Sequence, residues 1–288
     1  MLYGKRVFNF HIIKDVVWFE NIIKQIKKRY TPVGIEDIEN YYYGNKKLRN
    51  TSHITFDDGH KTLYDNVFPI IKKHNIPISV YVSPKIVSEN TNYWFQDVDE
   101  FEKDKVITII RENDMVKSDG LESLSLKNIF KSFKIEEILF LVDAYKKKYD
   151  ISLSEPKNIN LSQMLEMQES GLVVFGSHTV NHPILPNESD EVSEREILES
   201  IKWLSDLLGK KVKYFSYPNG DCTERDVEFL KKHGIKNEFS AKVGKKFSKN
   251  ANPLLIPRVG ISYGSINYIL AKMMFGGYYW DKLRRMVK

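Results

Sequence analysis

Three polar clusters in the sequence carry side chains that could do chemistry, and each directly follows a short apolar run. The clusters span Asp57–Gly59, His178–His182 and Tyr217–Gly220. Carboxylates and imidazoles bind zinc and similar divalent ions, and they also transfer protons near neutral pH. If the fold brings the clusters together, a metal ion and a general base could act on one substrate.

The two histidines of the second cluster are His178 and His182, a spacing that can place both on one face of a helix. Pro183 follows His182 and favours extended backbone there, so we expect a strand-to-loop segment instead. Two histidines and a carboxylate from another strand would form a three-ligand site with open positions for water, which is the catalytic pattern. The same spacing also fits two surface or capping histidines.

Asp57 and Asp58 end a buried apolar run, where two adjacent carboxylates are costly unless positive charge pairs with them. A metal ion would pair with one carboxylate, and the other could act as a general base toward water. The alternative is a turn, in which Asp58 and Gly59 reverse the chain and Asp57 caps the following helix.

The elements around these clusters alternate between strand and helix. Strands are predicted at four apolar runs, Ile54–Phe56, Ile76–Val82, Leu172–Phe175 and Val212–Ser216. Helical periodicity lies between these runs, and Ser193 and Glu196 fit a capping box ahead of one helix. This alternation predicts an α/β fold with a parallel sheet or barrel, whose strand ends bring distant clusters to one face.

The alternation breaks between residues 84 and 160, where helix-like segments (101–115 and 126–148) carry an aromatic patch that includes Trp94. We expect a single domain over 1–288, with a core at about 52–265, a helical insertion at about 84–160, and N- and C-terminal extensions. The insertion would be an extra helical layer or a lid.

The composition excludes several classes of protein. One cysteine in 288 residues excludes an intramolecular disulfide framework. The net charge of +6 is spread over mixed signs, unlike the clustered charge of a nucleic-acid binder. We recognise neither a signal peptide nor a membrane span, so we expect a cytoplasmic protein. The aromatic and basic residues 275–288 would either contact the inner face of the membrane or end a solvated helix.

The motif Thr55–Gly59 (TFDDG), followed by Gly176–Pro183 (GSHTVNHP), resembles the first two motifs of the polysaccharide deacetylase family, also called the NodB-homology or carbohydrate esterase family 4 group. Phe215–Gly220 (FSYPNG) is similar to the third motif in a divergent form. The resemblance covers roughly residues 52–261 without the insertion. It implies a distorted (β/α) barrel of the NodB-homology type that holds one divalent metal ion, usually zinc.

The resemblance also implies an activity and roles for single residues. The protein would be a metal-dependent hydrolase that removes an N-acyl group, expected to be N-acetyl, from a sugar or a glycan intermediate. Asp58, His178 and His182 would be the metal ligands, and Asp57 the general base. Substrate or oxyanion contacts are expected from Tyr217, Asn219, Arg258 and Trp94.

Three parts of the family pattern are absent. Ser216 stands where the family has an arginine that braces the catalytic aspartate, and Arg258 would either replace it or lie on the surface. Asn219 stands where the family has a tyrosine. The late Leu-x-His motif that supplies the general acid is missing, because no histidine follows His233. The acid is therefore unassigned among His11, His53, His60 and His233.

Two other activities fit the same motifs. A relative could hydrolyse a different amide, such as an N-formyl sugar or a cyclic imide. A weakly active carbohydrate-binding relative is favoured by the altered third motif and the missing histidine. In each case the expected partner is an N-acylated sugar or glycan, and no nucleic acid is expected.

Overall fold

A computed structural model describes residues 4–115, 120–151, 155–235, 237–240 and 247–275. Within these ranges nine strands form one sheet, in which every neighbouring pair is parallel. The strands are β1 (Arg6–Phe10), β2 (Thr31–Pro32), β3 (Thr51–Asp57), β4 (Ile78–Val82), β5 (Val173–Ser177), β6 (Tyr214–Ser216), β7 (Asn237–Ser240), β8 (Ile256–Pro257) and β9 (Val259–Gly260).

The sheet curls until its two edges meet. Its order is β8-β7-β6-β5-β4-β3-β1-β9, with β2 beside β3. The end strands β8 and β9 are consecutive in the chain and are separated only by Arg258. Because β8 pairs with β7 while β9 pairs with β1, this short segment joins both edges. The distorted (β/α) barrel expected from the sequence is confirmed.

β1 lies inside the sheet, between β3 and β9, although it precedes the core expected to begin near residue 52. All five of its residues are buried, including the polar Arg6 and Asn9 that interrupt its apolar pattern. Phe10 pairs with Phe56 in the register between β1 and β3. The next residues, His11 and Asp57, therefore lie side by side at the carboxyl ends of β1 and β3.

Helices connect most of the strands and cover the barrel. Those of the described residues are α1 (Val16–Arg29), α2 (Ile35–Tyr43), α3 (Phe68–His74), α4 (Pro84–Glu89), α5 (Trp94–Val98), α6 (Lys103–Glu112), α7 (Leu126–Phe130), α8 (Ile135–Lys148), α9 (Leu161–Glu169), α10 (Asp190–Leu208), α11 (Glu224–Lys232) and α12 (Ile266–Phe275). The predicted capping box of Ser193 and Glu196 is wrong, because α10 begins at Asp190 and its N-cap is Ser189.

The insertion is a helical layer with an apolar core of its own. Helices α5 to α8 pack around buried side chains such as Phe101 and Tyr145, whose rings stack at 3.9 Å. The helix predicted over 126–148 is broken between α7 and α8. No helix within the described ranges is long and apolar enough to cross a membrane. Residues 276–288, nearly all of the segment considered for membrane contact, lie outside those ranges.

Candidate active site

The site lies at the carboxyl ends of the central strands. Asp57 ends β3, and His178 and Tyr217 directly follow β5 and β6. Gly176 lets β5 approach its neighbours just before His178. A Cβ atom at this position would lie 2.5 Å from the Tyr81 ring and 2.8 Å from the Tyr214 carbonyl oxygen. These contacts explain why a glycine stands at this point of the second motif.

Asp58, His178 and His182 converge on one point. One ligand atom of each lies within 4.8 Å of the others. Asp58 Oδ1 is 3.6 Å from His178 Nε2 and 3.7 Å from His182 Nε2. One ion placed between these atoms could bond to each of them at about 2.0–2.2 Å, the usual length of zinc bonds to nitrogen and oxygen. Asp58 Oδ1 is buried and has no hydrogen-bond partner among the described residues, which is costly unless a cation binds there. The three side chains therefore fit a divalent metal ion.

The histidine rings are oriented by groups around them. His178 Nδ1 donates a hydrogen bond to the Ser216 carbonyl oxygen at 2.6 Å. A carbonyl only accepts, so Nδ1 carries the proton and Nε2 keeps its lone pair toward Asp58. Trp94 Nε1 donates to the His182 carbonyl oxygen at 3.0 Å, and Phe95 packs against the His182 ring. Burial, and next to it the charge of His178, holds the pKa of His182 well below its usual value.

Glu196 fixes the loop between the two histidines. The sequence pattern predicted a different role for it, in a helix capping box. Its carboxylate accepts hydrogen bonds from the backbone N–H groups of Val180 and Asn181, both at 2.9 Å, and from the Asn181 side chain. Burial raises the pKa of Glu196, and these three donors oppose that rise. The loop that carries His182 is thus attached to α10.

Asp57 is held by Arg258 in a buried, two-pronged ion pair. Arg258 Nη1 and Nη2 lie 2.8 and 2.7 Å from the two carboxylate oxygens. Asn9 Nδ2 also donates to Asp57, at 3.1 Å, and Arg258 Nη2 reaches Ser216 Oγ at 3.0 Å. Burial alone would raise the pKa of Asp57, but Arg258 and then His178 hold it well below its usual range. Arg258 therefore contacts both Asp57 and the position at which the family has its arginine.

A cavity of about 270 Å³ opens over these groups. It is lined by Asn9, His11, Asp57, Asp58, Trp94, Phe95, Lys127, Lys131, His178, His182, Asn219, Gly220 and Arg258. Of the expected substrate contacts, Trp94, Asn219 and Arg258 lie in this wall. Tyr217 does not: its ring is fully buried in an apolar cluster with Phe215 and Leu230. The strand alternation that turns Ser216 toward Arg258 turns the Tyr217 side chain away.

Of the four histidines considered as the acid, the structure places only His11 at the cavity. Its Nε2 lies 3.9 Å from Asp57 Oδ2, and its side chain is 54% exposed. His53 is buried away from the cavity, between the Val33 carbonyl and Ser79 Oγ. His60 bonds Thr62 in its own turn, and His233 packs on Phe229 at the end of α11. The position of His11 could be predicted only if β1 were already known to be a strand of the sheet.

The polysaccharide deacetylase family matches residues 44–121 and 122–237, more than half of the chain. The chain therefore belongs to this family, as the motifs predicted. It is a hydrolase of the carbohydrate deacetylase class, which removes N-acetyl groups from glycans. Members of carbohydrate esterase family 4 are metal-dependent, in agreement with the Asp58, His178 and His182 arrangement.

Curated relatives and solved structures agree with this family. The chain is 22% identical, over 278 residues, to a poly-β-1,6-N-acetyl-D-glucosamine N-deacetylase of Staphylococcus aureus, covering 93% of this chain and 74% of the relative. The deacetylase PplD of Streptococcus pyogenes superposes with a TM-score of 0.63 at 16% identity, covering 95% of this chain and 98% of PplD. IcaB from Ammonifex degensii superposes with a TM-score of 0.63 at 19% identity, covering 94% of this chain and 97% of IcaB.

Proposed function

We propose that this protein removes the N-acetyl group from N-acetylglucosamine units of a glycan, with one zinc ion held by Asp58, His178 and His182. The main observation that supports this proposal is that these three side chains converge beside the Asp57–Arg258 ion pair. Two imidazoles and one carboxylate are a donor set that suits zinc. The choice of sugar is supported by the name of the staphylococcal relative.

The chain's own residues divide the chemistry between them. A bound divalent ion would polarise the acetyl carbonyl and lower the pKa of a nearby water molecule. Asp57 accepts a proton from the water that attacks the acetyl carbon, and Arg258 and Asn9 hold its carboxylate in place. We assign to a backbone N–H near Asn219 a hydrogen bond to the developing oxyanion. As the C–N bond breaks, His11 donates a proton to the amine nitrogen, and acetate and the amino sugar are released.

The zinc site is tested by replacing its histidines one at a time. We expect His178→Ala and His182→Ala to fold but to lose stoichiometric metal, because two remaining ligands hold the ion weakly against water. Metal content is measured by plasma mass spectrometry after dialysis. His233→Ala, whose ring lies against Phe229, is the matched control and keeps its metal. Full occupancy at unchanged affinity in either ligand variant would show that the site is assigned wrongly.

The activity is tested on defined N-acetylglucosamine oligosaccharides with β-1,6 and β-1,4 linkages. We expect the zinc-loaded protein to release one acetate for each free amine that appears, and the protein stripped by a chelator to release none. An N-formyl sugar and a cyclic imide are tested beside them, because they represent the alternative amides. Turnover of either, with no acetate released from the oligosaccharides, would overturn the proposal.

The cytoplasmic location and the contact of residues 275–288 with the inner face of the membrane stay predictions. Fractionation of cells that produce the full chain, followed by a salt wash of the membranes, tests both. Removal of the segment after residue 275 should leave the distribution unchanged if that segment ends in solvent.

A further inference from the structure

The insertion adds positive charge to the wall of the active-site cavity. Lys127 lies in α7 and Lys131 directly follows this helix, so their four-residue spacing places both side chains on one side of it. Both are exposed, and both line the cavity together with the metal-ligand triad. Neither belongs to the motifs shared with the family, because both lie inside the insertion.

The remaining charges of the cavity wall are already paired. Arg258 is engaged by Asp57, and Asp58 faces the two histidines that would share a metal ion with it. Lys127 Nζ contacts Asp99 at 2.7 Å, but both partners are about half exposed, so solvent screens this pair. Lys131 makes no ion pair within the described part of the chain. The cavity wall therefore holds the cations of Arg258, Lys127 and Lys131 beside the carboxylates of Asp57 and Asp58, with Asp99 against Lys127, before a divalent ion adds further positive charge.

We propose that the substrate sugar carries an anionic group, a phosphate ester or a carboxylate, which Lys127 and Lys131 bind while its N-acetyl group lies at the metal site. The inference rests on the proposed deacetylase function and specifies its substrate class. The cavity, at about 270 Å³, is as small as the smallest ligand pockets. Because Lys127 and Lys131 line this same small cavity as Asp58, His178 and His182, we place the anionic group on the sugar that is deacetylated or on its direct neighbour.

The same charges have a consequence for the product. Deacetylation leaves an amine that is protonated near neutral pH, and two lysines in the wall repel neighbouring ammonium groups. A chain of free amino sugars should therefore bind more weakly than its N-acetylated precursor. An N-acetylated sugar with a phosphate or a carboxylate should bind more tightly than the same sugar without it.

The test compares three substrates that differ in one group: a neutral N-acetylglucosamine oligosaccharide, the same compound with a phosphate ester on the terminal sugar, and the same compound with a carboxylate there. For the zinc-loaded full chain we expect a lower KM for one or both anionic compounds, by about tenfold, with little change in kcat. Comparison of the two anionic compounds shows whether the site prefers a phosphate or a carboxylate. Salt at about 1 M, where the screening length is about 3 Å, should remove most of the preference.

The variants are Lys127→Gln, Lys131→Gln and the double substitution. We expect each single change to raise KM for the anionic compound by about twofold to fivefold, the range for partly exposed charge pairs. The neutral compound should be unaffected. Lys134→Gln is the matched control, because Lys134 is exposed and close in sequence but does not line the cavity. A preference that survives the double substitution, or a wild type that prefers the neutral compound, would overturn the inference.

Calorimetric binding of the same three compounds separates this inference from the proposed function. If none of them is hydrolysed, the proposed function fails on these sugars, and the binding constants still decide the charge preference. Tighter binding of an anionic compound, lost in the double variant, supports the inference. Equal binding of all three compounds contradicts it.

Discussion

Four residues of the site adopt backbone conformations that L-residues avoid. Asp58, Thr179, His182 and Asn219 have φ between +54° and +68°, and they are four of the nine non-glycine residues with positive φ in the described ranges. Such conformations cost of order 1–3 kcal/mol each and persist where the surroundings determine them. At Asp58 and His182 the strained backbone points ligand atoms at a common centre. This strain indicates that the chain gives up stability to build the site.

His11 is predicted to act on the leaving group. We expect His11→Asn to slow amide hydrolysis by about 10²–10⁴-fold, the usual contribution of a general acid. Hydrolysis of 4-nitrophenyl acetate should change little, because its leaving group needs no proton. Steady-state rates on both substrates measure the difference.

Asp57→Asn serves as the contrast to His11→Asn. In the proposed mechanism Asp57 acts on the attacking water, so its loss should slow the ester and the amide alike. The variant should still bind metal, because Asp57 is outside the ligand triad. Equal losses on both substrates in His11→Asn would contradict its role as the acid.

At the scale of elements, Arg258 links the closing strands of the barrel to β3. Its ion pair with Asp57 is almost fully buried, and removal of one partner leaves the other charge uncompensated. We expect Arg258→Met to lower the free energy of unfolding by about 3–5 kcal/mol and to reduce activity strongly. Urea denaturation at pH 7 measures the loss. Arg195→Met is the control, because Arg195 is half exposed and pairs with Glu136 only at 3.5 Å.

Glu196 links α10 to the loop that carries His182, so it is predicted to affect the metal site without touching the ion. We expect Glu196→Ala to weaken metal binding by about 10–100-fold, as is usual when groups that orient metal ligands are removed. Glu199→Ala, an exposed change in the same helix, should leave the affinity unchanged. Competition with a chromogenic chelator gives both affinities. An unaltered affinity in Glu196→Ala would mean that the loop holds its shape without this carboxylate.

For the whole molecule, the buried His53 is predicted to make stability depend on pH. Burial lowers the pKa of His53 to about 4, from an ordinary value of 6.5. The unfolded chain therefore binds a proton more readily, so stability is complete above pH 6.5 and falls as the pH drops toward 4. We expect this residue to account for about 2 kcal/mol lost between pH 7 and pH 5.

The contribution of His53 is isolated by comparing urea denaturation of the wild type and His53→Gln at pH 7 and pH 5. The variant should be less stable at pH 7, because its hydrogen bonds to Val33 and Ser79 are altered. Its stability should also change less with pH than that of the wild type. A parallel loss in both proteins would assign the acid sensitivity to other groups, such as the metal ligands.

The family, the barrel and the motifs of the site could all be predicted from the sequence. TFDDG and the HTVNH segment are local, and they follow runs whose apolar pattern already indicates buried strands. Backbone geometry then requires that residues after parallel strands meet on one face. Asp57, Asp58, His178 and His182 could be named for this reason without coordinates.

The distant groups that complete the site could be identified only from the folded arrangement of the chain. Arg258 reaches Asp57 because β8 and β9 close the barrel around it, and no local pattern distinguishes it from a surface arginine. His11 reaches the cavity because β1, with polar residues inside an apolar run, pairs between β3 and β9. Lys127 and Lys131 enter the wall because α7 of the insertion packs beside the barrel mouth. Each of these contacts depends on long-range packing, which the periodicity of a single segment does not encode.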